Sequence, residues 1–108
     1  MFDLIETDRF SETIKISMPG NADAGFITAH YRMIGRDEVD VLQKKSVKSI
    51  LDAVLVGWEY LQSGGEDLPF NKKNLAQVAN HPVLSELLIL TYVRALSGAA
   101  LASVQVKN

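Results

Sequence analysis

The chain has 108 residues, of which 47% are hydrophobic and 22% are charged, with no cysteine and a net charge of −2. This length and composition indicate one globular domain over residues 1–108 and exclude a disordered chain. The slightly acidic balance argues against a dedicated nucleic-acid binder, and the lack of cysteine excludes a disulfide framework, a thiolate zinc site and a cysteine nucleophile.

Two alternating runs near the N-terminus predict an antiparallel β-hairpin over residues 10–34. In each run the apolar residues share one face and the polar residues share the other, a period of two that is typical of half-buried strands. Between the runs, residues 19–25 are rich in turn-forming residue types and predict a loop, around Asn21, that is too long for a tight hairpin turn. The inward-facing residues are Phe10, Ile14, Ile16 and Met18 in the first run and Ile27, Ala29, Tyr31 and Met33 in the second.

After residue 35 the apolar residues recur at spacings of three and four, which predicts helical structure. Asp37 is the expected N-cap, because its side chain can accept hydrogen bonds from the first free N–H groups. The apolar stripe continues to Trp58, where we expect the helix to end, and it fits one long helix or two short ones broken near Lys45–Val47. Gly64-Gly65 then predicts a turn.

Two further helices are predicted in the C-terminal third of the chain. Asn71 can cap a short helix, and Pro82 can end it and begin the next one, since its missing N–H is harmless in a first turn. The pattern as a whole predicts an α+β fold, with an N-terminal antiparallel β-hairpin (10–34) followed by three to four helices within a helical part (37–104).

The side chains that carry chemistry in other proteins form no recognisable site here. His30 and His81 have no second ligand at metal-binding spacing, and no glycine-rich phosphate loop opens a helix. The acids and serines lack the partners that catalysis or calcium binding would need. They are Asp37, Glu38, Asp40, Glu66, Asp67, Ser46, Ser49 and Ser63. We therefore expect a non-enzymatic protein with no catalytic residue, no metal and no cofactor.

Two small basic clusters are most simply solvated faces, because acids and amides flank each of them. We therefore expect no nucleic-acid binding, and the alternative from a different functional class is a small regulatory nucleic-acid-binding module. The clusters comprise Lys44, Lys45 and Lys48 in the first and Lys72 and Lys73 in the second.

The last helix is apolar around nearly its whole circumference, with only Glu86 and Arg94 charged between Pro82 and Lys107. We expect no membrane span, because an arginine near the bilayer centre costs about 2.5–3.5 kcal/mol. The acidic N-terminus also differs from a secretory signal. Such a helix is either a central core helix or one covered by another chain. The partner-binding residues expected in the second case are Leu84, Leu88, Tyr92, Leu96 and Leu101.

Three stretches of the chain, in this order, are the basis of a family resemblance. The first is Phe26–Arg32 continuing into Arg36–Asp40, and the second is Ile50–Glu59, which contains Val-Gly-Trp. The third is Gly64–Asn71, which contains Pro-Phe and is followed by Asn74-Leu75 and Pro82. In this arrangement the chain resembles the tail assembly chaperones of long-tailed (siphovirus-like) bacteriophages and prophages. The match covers about three quarters of the chain. The chain departs from the family in its Gly64-Gly65 pair and its long apolar C-terminal stretch.

The resemblance implies a non-enzymatic helper of tail morphogenesis. Such a protein binds the tape measure protein, a long and largely helical polypeptide, keeps it soluble and helps recruit tail tube subunits. It acts in the host cell cytoplasm and is absent from the mature virion. Contact with the tail tube protein is expected through a longer, frameshifted form, and self-association would help to cover a long client. The alternative within phage biology is a structural tail or connector protein that stays in the virion.

Overall fold

The computed structural model describes residues 1, 3–4 and 8–106, and from residue 99 onward the backbone alone. Its strands form a three-stranded antiparallel sheet of order β1-β2-β3 and a separate β4-β5 hairpin. The predicted α+β fold, an N-terminal hairpin followed by helices, is confirmed. The elements in chain order are β1 (Arg9–Met18), β2 (Asn21–Arg32), α1 (Arg36–Leu42), α2 (Val47–Val54), β3 (Leu55–Glu59), β4 (Gln62–Ser63), β5 (Glu66–Asp67), α3 (Lys72–Asn80) and α4 (Pro82–Val106).

The turn between β1 and β2 is shorter than the sequence indicates. Met18 pairs with Asn21, so Pro19-Gly20 alone reverses the chain and residues 21–25 belong to β2. Proline presets φ at the first turn position, and Gly20 supplies the positive φ, +80°, that the second position requires. The prediction of a loop over 19–25 is therefore wrong, because two residues already satisfy the reversal.

The chain after α2 forms a strand, which corrects the expectation of a helix as far as Trp58. β3 pairs antiparallel with β2 and places Trp58 opposite Ala29. The run from Val54 to Gly57 contains two valines, which favour a strand, and a glycine, which disfavours the interior of a helix. β2 also offers backbone N–H and C=O groups along its second edge that need partners. The helical part expected over 37–104 is thus interrupted by β3 and by the β4-β5 hairpin.

The first helical stripe divides into α1 and α2, which is one of the two predicted alternatives. The Ser46 side chain caps α2 by accepting a hydrogen bond from Ser49 N at 3.3 Å. The prediction of Asp37 as an N-cap is wrong, because Gly35 occupies that position and Asp37 lies in the first turn of α1. Its negative charge there still interacts favourably with the helix dipole.

The starts of α3 and α4 follow the sequence closely. Asn71 Oδ1 accepts a hydrogen bond from Asn74 N at 2.8 Å, which confirms the predicted cap. Pro82 is the first residue of α4, as predicted. His81 caps that helix, because its Nδ1 accepts a hydrogen bond from Leu84 N at 3.1 Å.

The hydrophobic core lies between the inner face of the sheet and helices α2, α3 and α4. At its centre the Tyr31 ring stacks 5.3 Å from Phe10 and lies 5.2 Å from Tyr92. The Tyr31 hydroxyl donates a hydrogen bond to Leu88 O at 2.7 Å, which fixes α4 across the sheet. The buried apolar residues are Ile14, Ile27, Ala29, Tyr31, Leu51, Val54, Leu55, Trp58, Leu75, Val78, Leu84, Leu88 and Tyr92.

Candidate partner-binding site

The five residues expected to bind a partner differ in how deeply the structure buries them. Leu84, Leu88 and Tyr92 are 7%, 1% and 6% exposed and belong to the core, so in this fold they are not an accessible face. The sheet, α2 and α3 cover that side of α4. Leu96 is half-buried at the edge of the core. Leu101 lies beyond the residues whose side chains are described.

Leu96 and Tyr92 line an open groove between α1 and the C-terminal half of α4. The groove has a volume of about 540 Å³, and a smaller depression of about 180 Å³ on the other side of Leu96 adjoins it. Most of the lining side chains are apolar. The groove is lined by Ile34, Arg36, Val39, Gln43, Tyr92, Val93, Leu96 and Ser97, and the depression by Phe10, Glu12, Met33, Ala95 and Leu96.

The end of β2 fixes both walls of this groove. Arg32 Nη2 lies 3.4 Å from Glu38 Oε2, which ties β2 to α1. The Arg32 backbone carbonyl accepts a hydrogen bond from the Tyr92 hydroxyl at 3.0 Å, which ties β2 to α4. Burial raises the pKa of Tyr92, so its hydroxyl stays a neutral donor at physiological pH. The end of β2 therefore contacts both helices that form the groove.

The chemistry of this groove is that of a docking site for apolar side chains. Val93 and Met33 are 52% and 41% exposed, so apolar surface is already in contact with solvent at its margins. Burying such surface against a partner is favourable in proportion to its area, at about 25 cal/mol per Å². Arg36 and Gln43 add polar groups at the wall formed by α1. An amphipathic helix that presents an apolar stripe has the matching surface.

A polar row on the outer face of the sheet joins one side chain from each of its three strands, and the sequence pattern did not predict it. Ser11 Oγ lies 2.6 Å from His30 Nδ1, and His30 Nε2 lies 3.5 Å from Glu59 Oε2. With its proton on Nε2, the ring accepts from Ser11 and keeps a proton on the nitrogen nearest Glu59. The His30 and Glu59 side chains are 34% and 58% exposed, so the row is a cross-strand tie on an open surface.

The strand register could have revealed the Ser11 part of this row, because Ser11 lies directly opposite His30 in the β1–β2 ladder. Glu59 could be added only once β3 was recognised as a strand. Among the described residues, His, Asp and Glu form no group of three that could hold a metal ion. Lys48 pairs with Asp52 at 3.3 Å, and the other lysines of the two basic clusters are exposed.

The motif residues that carry the family resemblance contact one another. The Trp58 indole N–H donates a hydrogen bond to Leu68 O at 2.7 Å, and the Trp58 ring lies 4.8 Å from Phe70 in an edge-to-face arrangement. Asn74 Nδ2 donates to Pro69 O at 2.8 Å. These contacts brace α3 against β3, so the motif has an architectural role in this fold.

No known protein family, curated protein or solved structure matches this chain. The resemblance to tail assembly chaperones therefore stays a prediction from the sequence. Among the helices that the structure describes, none combines the length and hydropathy needed to cross a bilayer.

Proposed function

We propose that this chain is a phage tail assembly chaperone. It binds the tape measure protein, keeps that protein soluble and helps to recruit tail tube subunits, without forming part of the virion. It uses no cofactor and acts in the cytoplasm of the host cell. The observation that carries the proposal is the open apolar groove between α1 and α4, together with the sequence motif described above.

The groove supports this function because of the chemistry of the client. A tape measure protein is long and largely helical, and its apolar faces need covering before the tail tube surrounds it. Leu96 and Val39 form apolar parts of two facing helices, and the hydrogen bond from Tyr92 to the Arg32 carbonyl joins α4 to the end of β2 beside the groove. Helix-in-groove contact is a common way to recognise such segments.

The test is co-expression with a phage tape measure protein, followed by capture of the complex. Leu96→Asp and Val39→Asp place a charge on either wall and should each lower the amount of soluble captured client roughly tenfold or more. Val47→Asp is the matched control, because Val47 is 41% exposed on α2 and does not line the groove. Circular dichroism confirms that each variant is folded.

Two results would overturn the proposal. One is a client that stays insoluble and unbound while a DNA fragment is shifted with a steep salt dependence, which favours the regulatory nucleic-acid-binding module. The other is detection of this chain at stoichiometric level in purified particles by mass spectrometry, which favours a structural tail or connector protein.

A further inference from the structure

The side of α4 that faces away from the core carries a regular stripe of its own. Val83, Leu90 and Ser97 recur at intervals of seven residues, and Glu86 and Val93 do the same between them. This alternation of three and four residues is the spacing that one face of a helix presents to a neighbouring helix. Leu90 and Val93 are 40% and 52% exposed, and Val93 also lies at the edge of the groove beside α1.

The two charges of α4 are placed symmetrically on this stripe. Glu86 and Arg94 each lie four residues from Leu90, on opposite sides of it along the helix. Both are exposed, and neither side chain makes a hydrogen bond or an ion pair within the described part of the chain. They are the only charged residues from Pro82 to Val106.

We propose that this stripe is the interface between two copies of the chain, whose α4 helices pack antiparallel about a two-fold axis at Leu90. A two-fold axis requires a self-complementary surface, in which residue i contacts j and j contacts i. An antiparallel pair centred on Leu90 places Glu86 of each copy at the level of Arg94 of the other, so both pairs are of opposite sign. Val83 then lies at the level of Ser97, and the two Leu90 side chains meet.

The charges also select this orientation over the parallel one. A parallel pair in the same register would bring Glu86 to Glu86 and Arg94 to Arg94, which places like charges together at both levels. α4 has 25 residues and is about 37 Å long, so the axis at Leu90 leaves more than two turns of helix on either side. Val93 and Ser97 belong both to this stripe and to the lining of the groove. Leu96 and Val39, which test the proposed function, lie outside the stripe, and Glu86 and Arg94, which test the dimer, do not line the groove, so failure of one proposal is distinguishable from failure of the other.

Charge reversal tests the interface by its effect on the dimer dissociation constant, measured by sedimentation equilibrium at low salt. Glu86→Arg and Arg94→Glu alone should each weaken the dimer roughly tenfold, because two attractive contacts become repulsive. The double variant E86R/R94E restores opposite signs and should return the constant to within about threefold of the wild type. Glu66→Arg, an exposed reversal in the β4-β5 hairpin, is the control.

Single cysteines test the orientation, because the natural chain has none. A mixture of Val83→Cys and Ser97→Cys proteins should form a mixed disulfide dimer under mild oxidation, while Ser97→Cys alone should not. A wild-type chain that is monomeric at every concentration would overturn the proposal. Single charge reversals that leave the dimer dissociation constant unchanged would also overturn it. So would a Ser97→Cys protein that cross-links to itself, because that result indicates a parallel pair. If the charge reversals affect association only when another protein is added, the stripe binds that protein rather than a second copy of the chain, and the proposal is overturned.

Discussion

Tyr31 joins the sheet to the last helix through both its ring and its hydroxyl. The ring packs between Phe10 and Tyr92, and the hydroxyl donates to the backbone carbonyl of Leu88. The alternation of β2 predicts that Tyr31 points inward, and the structure confirms it with no exposed surface. The hydrogen bond could not be predicted, because it joins residues far apart in the chain and depends on where α4 crosses the sheet.

We expect Tyr31→Phe to lower the free energy of unfolding at pH 7 by about 0.5–1.5 kcal/mol, since the ring stays packed and one buried hydrogen bond is lost. The variant should also respond differently to alkali. Burial, reinforced by the negative charge of Glu12, raises the pKa of Tyr31 above the 10.0 of an unburied tyrosine. The unfolded chain therefore releases this proton first, and native stability falls as the pH rises past 10.0.

Urea unfolding at a series of pH values checks both effects. The wild type should lose stability steeply above pH 10.0, and Tyr31→Phe should lose it less steeply because it lacks one of the ionising groups. Tyr92, whose pKa burial also raises, keeps part of the alkaline slope in the variant. Identical slopes in the two proteins would contradict the assignment of this proton to Tyr31.

The short helices and the strand β3 differ in how far the local sequence predicts them. The caps of α2 and α3 depend on residues three positions apart, so the local pattern contains the information needed to find Asn71. The local pattern does not predict the change from helix to strand at Val54, because the three-and-four spacing of apolar residues continues to Trp58. Pairing with β2 decides that segment, and a distant strand edge leaves no trace in the local spacing.

Asn71→Ala should destabilise the protein by about 1 kcal/mol, because the N–H of Asn74 loses its side-chain acceptor at the start of α3. Asn71→Asp keeps an acceptor oxygen at the same position and adds a charge that the helix dipole favours, so its stability should stay close to that of the wild type. Thermal unfolding of the three proteins measures the difference. An equal loss in both variants would show that the amide group of Asn71, rather than the cap, is what the fold requires.

At the scale of the whole molecule, α4 is the element that the sequence describes least completely. Its residues are apolar all round, so periodicity predicts a helix but not which side faces the core. The sheet and α3 settle that choice by covering Leu84, Leu88 and Tyr92, which leaves Leu90 and Val93 outside. Three of the five expected partner-binding residues, Leu84, Leu88 and Tyr92, therefore lie on the covered side of α4. A single sequence of this kind cannot distinguish two apolar faces of one helix.

Leu88 and Leu90 make a matched pair that tests this arrangement, since both are leucines in the same helix with 1% and 40% exposure. Leu88→Ala should lower the free energy of unfolding by about 2–5 kcal/mol at every protein concentration, because it leaves a cavity in the core. Leu90→Ala should change it by less than about 0.5 kcal/mol in dilute solution. In concentrated solution the wild type should gain thermal stability by dimerising, and Leu90→Ala should lose that gain. Equal losses for both variants in dilute solution would mean that Leu90 is buried within the chain, and the side of α4 assigned to the core would have to be revised.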